Sequence, residues 1–118
     1  MTDWAAIEDE VISRLEPFQR RTVDWAFSCL YPTHGSRGSG RFLVADEVGL
    51  GKTMVAKGVL VKALRYLSSH VKRADVVYVC SNASIAQQNL DRLRIKGLPG
   101  GDFQTQGRLT LLPLLERD

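Results

Sequence analysis

The sequence predicts an α/β fold in three layers, helices on both faces of a parallel sheet, preceded by two N-terminal helices. Three observations predict it. The short apolar runs Phe42, Leu43, Val44, Ala45 and Val76, Val77, Tyr78, Val79, Cys80 have the length of strands buried on both faces. Each run is followed by a segment of helical period, so each return passes through a helix, as parallel strands require. A glycine-bearing turn joins the first run to its helix.

Taken in order, Trp4, Ile7, Val11 and Leu15 recur at helical spacing with acids between them, predicting an amphipathic helix from Thr2 or Asp3 that Pro17 closes. A second helix is predicted over 18–31, with Phe18, Trp25, Ala26, Phe27, Cys29 and Leu30 forming its apolar face. Pro32 stops it, and the glycine-rich stretch 32–40 reads as a surface loop. The first strand takes 41–46. Met54, Val55, Val59, Leu60, Ala63, Leu64 and Leu67 then predict a helix over 52–69. The second strand takes 76–81, and a third-layer helix follows over 84–96 on Ile85, Leu90 and Leu93, with Gly97 as its left-handed cap. The stretch 98–107 reads as loop and 109–115 as a last strand.

A chain of 118 residues fits one domain, and 44% hydrophobic with 25% charged residues excludes a disordered or low-complexity chain. Its longest unbroken apolar run, five residues, is far short of the roughly 20 that a membrane span needs. The acidic start (Asp3, Glu8, Asp9, Glu10) is unlike a secretory signal. Cys29 and Cys80 lack both a Cys-x-x-Cys spacing and neighbouring histidines, which predicts reduced, buried thiols and a cytoplasmic protein rather than a disulfide or zinc scaffold. The net charge of +3 is unevenly spread, with five acids in the first sixteen residues and Arg92, Arg94 and Lys96 among the later cations. That imbalance permits a polyanion partner. Lys62, Arg65, Lys72 and Arg73 read as a solvated face outside any site, His34 as a loop residue and His70 as a helix-end residue bonded to carbonyls.

The strongest chemical signal is Val48-Gly49-Leu50-Gly51-Lys52-Thr53, set between the first predicted strand and the long helix. Glycines lack a β-carbon, so the backbone can turn through positive φ and bring successive N–H groups against phosphate oxygens. The helix N-terminus adds to that anion site. Lys52 is placed to reach the β- and γ-phosphates, and the Thr53 hydroxyl to ligate a nucleotide-bound Mg²⁺. The strict phosphate-loop pattern puts a glycine five positions before Gly51, where this chain has Asp46. Asp46 and Glu47 precede the loop, whereas the carboxylates that serve Mg²⁺ and water in such ATPases come from the end of another strand, so the pair reads as structural.

These residues resemble motif I of superfamily-two helicases, and Ala-Asp-Glu-x-Gly-Leu-Gly-Lys-Thr is most similar to the Swi/Snf-type DNA translocase branch. Leu15-Glu16-Pro17-Phe18-Gln19, followed by Trp25, resembles the upstream Q-type motif, which implies Gln19 as the adenine reader. Residues 75–82 resemble motif Ia, implying that Ser81 and Asn82 hold nucleic-acid backbone phosphates. The alternative reading, that Ser81 or Asn82 caps the next helix, is compatible with it. Arg108-Leu109-Thr110 is a fainter echo of motif Ib. The resemblance implies a partial RecA-like P-loop NTPase domain over 41–118, with the Q-type motif on the helices of 1–31.

What the resemblance implies is the N-terminal ATP-binding portion of an ATP-dependent helicase or DNA translocase. Its cofactors would be ATP and Mg²⁺. Its partners would be nucleic acid, foremost DNA, held through the backbone, and a second RecA-like domain. After Thr53 no Asp-Glu pair follows an apolar run, so the chain is expected to be inactive alone and its parent to be the ATP hydrolase. The alternative is a non-catalytic P-loop module that binds nucleotide and regulates.

Overall fold

The computed structural model describes residues 2–31, 38–45, 51–80 and 82–98. Among the described residues there are four helices: α1 (Trp4–Ser13), α2 (Pro17–Leu30), α3 (Lys52–Ser68) and α4 (Ala83–Leu93). Helix α3 is the hub, because α1, α2 and α4 each pack on it.

Local chemistry sets the ends. The Asp3 carboxylate accepts from the Ala6 N–H at 3.1 Å and caps α1, satisfying a donor that the helix itself cannot use. Helix α1 stops at Ser13, so Pro17 does not close it. Instead Pro17 stands in the first turn of α2, where its missing N–H costs nothing and its fixed φ suits the helix. Asn82 Oδ1 accepts from the N–H groups of Ser84 (2.9 Å) and Ile85 (3.1 Å) and caps α4. Gly97 takes a positive φ of 85° as expected, but in a turn beyond α4, which ends at Leu93.

Two apolar clusters hold the helices together. Val11 of α1, Val61 of α3 and Ile95 make one, with Ile7, Leu60, Leu64 and Leu98 against them. Leu15, Val23 of α2 and Val55 of α3 make the other, joined by Ile12, Val44, Met54 and Val59. Val23, Val55 and Val61 are under 2% exposed, and full burial of such a side chain contributes roughly 1.5–3 kcal/mol. The face that α2 buries is therefore Gln19, Val23 and Ala26, whereas Phe18 (38%) and Trp25 (68%) of the predicted apolar face are exposed. Gly58 permits this packing, since a β-carbon there would lie 2.8 Å from Val23 Cγ2 and 3.1 Å from Leu15 Cδ1.

The α/β prediction fails. Among the described residues there is no strand, so neither a parallel sheet nor a RecA-like three-layer αβα arrangement is present. Residues 41–45 and 76–80, the described parts of the buried strands predicted over 41–46 and 76–81, are irregular. Leu43 is 83% exposed, Val77 73% and Val79 79%, so no layer covers these runs. The physical reason is that a strand acquires its hydrogen bonds only from a neighbouring strand, and a short apolar run specifies burial without specifying that neighbour. Val44 packs on the second cluster, and Asn89 Nδ2 donates to Tyr78 Oη at 2.7 Å. The last predicted strand, 109–115, lies outside the described residues.

Candidate functional site

Gly51 is the N-cap of α3 and takes the left-handed conformation, φ 76° and ψ 44°. Side chains with a β-carbon rarely adopt it, and here the space is closed as well: a β-carbon on Gly51 would lie 2.5 Å from Gln19 Nε2. The Gly51 carbonyl accepts from the N–H groups of Met54 (3.0 Å) and Val55 (3.2 Å), starting the helix. Having no side chain, Gly51 caps nothing else, so the N–H groups of Lys52 and Thr53 are left to an outside acceptor.

The electrostatics of this helix end favour an anion. Lys52 occupies the first position of α3, and the first turn holds no acidic residue. A cation there adds to the positive end of the helix dipole instead of opposing it. Lys52 is exposed, and it joins none of the ion pairs among the described residues. Thr53, the second helical residue, is half-buried. Two N–H donors, an ammonium and a hydroxyl thus gather at one helix terminus, a donor set that fits phosphate oxygens and a phosphate-bound Mg²⁺. Among the described residues no group of three or more His, Cys, Asp or Glu side chains could hold a metal by itself.

Gln19 is a buried polar residue, 8% exposed. Its Oε1 accepts from the Glu16 backbone N–H at 2.8 Å, part of a capping box at the start of α2. The structure thereby brings Gln19 against Gly51, 32 positions on. Asn82 stands apart, at the α4 N-terminus, with Oδ1 committed to its own helix. Val48, Gly49, Leu50, Ser81 and the motif Ib segment 108–110 lie outside the described residues, as does His34.

Sequence reasoning missed the role of Glu16. Its signal was present: a Glu three positions before a Gln, with Pro between them opening a helix, is the spacing of a capping box. Three of the four cations excluded from the site are engaged elsewhere. Lys62 pairs with Asp24 at 2.9 Å and Glu8 at 3.6 Å, Arg65 also pairs with Glu8, and Arg73 with Asp75 at 3.0 Å. His70 Nδ1 lies 2.7 Å from the Tyr66 carbonyl, the helix-end bond expected of it, and its ring stacks on Tyr66. Cys29 and Cys80 are free and partly buried. Among the described residues no helix is long and apolar enough to cross a membrane.

Compared with models of protein families, with curated proteins and with solved structures, the chain gives no match.

Proposed function

We propose that this chain binds the phosphates of ATP, with Mg²⁺, at the N-terminus of α3, and that it is the ATP-binding portion of a nucleic-acid helicase or DNA translocase. One observation carries the reading. Gly51 is held left-handed, and beside it an ammonium at the positive end of a helix has neither an acidic residue in its turn nor an ion-pair partner among the described residues. Such an arrangement is locally unfavourable without an anion, and a triphosphate supplies one. Lys52 would hold the outer phosphates, the Lys52 and Thr53 N–H groups the inner oxygens, and the Thr53 hydroxyl the Mg²⁺, which neutralises phosphate charge when bound.

The reading rests on these residues and on the motif they form. Nucleic acid is the proposed partner through its backbone phosphates, at the N-terminus of α4 that Asn82 caps. A cytoplasmic site of action accords with two free thiols.

Calorimetric titration of the chain with Mg·ATP and with tripolyphosphate tests the proposal. Both bind, and Lys52→Ala abolishes measurable affinity for either. Failure of both ligands to bind, or undiminished binding by Lys52→Ala, overturns it.

A further inference from the structure

We infer that Gln19 is a positioning residue of the phosphate site and not a reader of the base, an inference that rests on the phosphate-binding reading above. Reading adenine with an amide takes both of its ends: the oxygen accepts from the exocyclic amine while the nitrogen donates to the ring. In this chain both ends face protein. Oε1 lies 2.8 Å from the Glu16 backbone nitrogen. A backbone N–H can only donate, so that atom is the oxygen and the amide orientation follows from chemistry. The Nε2 end is therefore the one directed at Gly51, close enough that a β-carbon there would stand 2.5 Å away. With 8% of the residue exposed, little of the amide is left for a ligand.

The amide is a wedge between two helix starts. On one side it caps α2, and on the other it packs on the residue whose left-handed turn aims the first N–H groups of α3 outward. Fixing Gly51 in this way prepares the phosphate donors before a ligand arrives, which reduces the ordering that binding must otherwise carry out. Gln19 then supports binding of the triphosphate moiety and adds no preference for one base over another.

The test compares Mg·ATP, Mg·GTP and tripolyphosphate by calorimetry on the parent chain, Gln19→Ala, Gln19→Met, Gly51→Ala and the Gln19→Ala/Gly51→Ala double variant. Gln19→Met keeps the core volume should the alanine variant unfold, and the Glu16 N–H it abandons belongs to an exposed residue that water can serve. Loss of Gln19 weakens all three ligands by a common factor of about tenfold, leaving the ATP-to-GTP ratio of the parent. Gly51→Ala is about fivefold less damaging to tripolyphosphate binding in the Gln19→Ala background than in the parent, because the two side chains no longer collide. A purely capping role for Gln19 would show no such coupling. Weaker ATP binding with GTP and tripolyphosphate untouched, or strictly additive effects at 19 and 51, overturns the inference.

Hydrogen exchange on the ligand-free chain separates this failure from that of the binding proposal. The Met54 and Val55 amides, bonded to the Gly51 carbonyl, exchange faster in Gln19→Met than in the parent. If no ligand binds the parent chain, the phosphate reading falls, and this exchange still decides whether Gln19 holds Gly51. Unchanged exchange overturns the positioning role.

Discussion

Lys52 occupies a place that helix physics disfavours, the positive end of α3, with no acidic side chain in the turn to offset it. A cation there costs about 0.3–1 kcal/mol at an exposed position. Alanine removes the repulsion and has the better helix propensity. Lys52→Ala therefore leaves the melting temperature of the ligand-free chain unchanged or raised, even as phosphate binding is lost, and differential scanning calorimetry without ligand reads this directly. A lowered Tm would show that Lys52 supports the fold and not a ligand. Gly51, Lys52 and Thr53 were legible as a group because their meaning lies in adjacent positions. Gln19 and Gly51 came together only through the resemblance, which assigns both to one nucleotide, since they stand 32 positions apart and no local period encodes the meeting.

At the scale of elements, the helices were legible and the strands were not, for one reason. Val11 and Leu15, or Val55 and Val59, repeat at the helical period, and a helix closes its hydrogen bonds within its own segment. The runs ending at Ala45 and Cys80 carry the composition of strands, yet their bonds must come from elsewhere, and nothing within either run names the partner. Period alone also misplaced the buried face of α2, because it put Trp25 on that face and left Val23 out. Gly58 shows what decided between them. It sits in mid-helix, where Ala gains about 1 kcal/mol of propensity, but a β-carbon would overlap Val23 Cγ2 at 2.8 Å. Overpacking of this kind costs typically 1–3 kcal/mol, so Gly58→Ala is net destabilising by roughly 1 kcal/mol despite the better helix former. Chemical denaturation measures it, and a stabilised variant would show that α2 and α3 are not in close contact. Asn82→Ala, which removes the acceptor for two N–H groups of α4, costs about 1 kcal/mol in the same assay, and Asn82→Asp retains most of it.

Across the whole molecule, three helices are tied by one network in which Lys62 of α3 meets Asp24 of α2 and Glu8 of α1, with Arg65 completing the pairing of Glu8. Partial burial by itself lowers the Lys62 pKa, but the hydrogen bond and charge of Asp24 and the charge of Glu8 outweigh it and hold the ammonium above its ordinary 10.5. Lys57, on the same helix, is shifted the other way, first by burial and then by the neighbouring charges of Arg14 and Lys96, against which Glu10 alone pulls. The two act oppositely on stability. A lysine raised in the folded state stabilises fully below the unfolded value of 10.5, and that contribution is lost as pH climbs through the folded pKa. A lysine lowered in the folded state carries a penalty at neutral pH that lifts between its folded pKa and 10.5. Subtracting the Tm–pH curve of each variant from that of the parent, between about pH 8 and pH 12, isolates each group from the other titrating side chains. Lys62→Met melts lower than the parent at neutral pH, and the gap closes above 10.5 as the parent loses its ion pairs. Lys57→Gln melts at or above the parent at neutral pH, and its gap closes below 10.5, as the parent sheds the repelled proton. The order of these two closures is the diagnostic feature: one network joins the three helices and one cluster strains them, and a Lys62→Met gap that stayed constant through the alkaline range would mean that the charges of Glu8 and Asp24 do not hold α1 and α2 to α3.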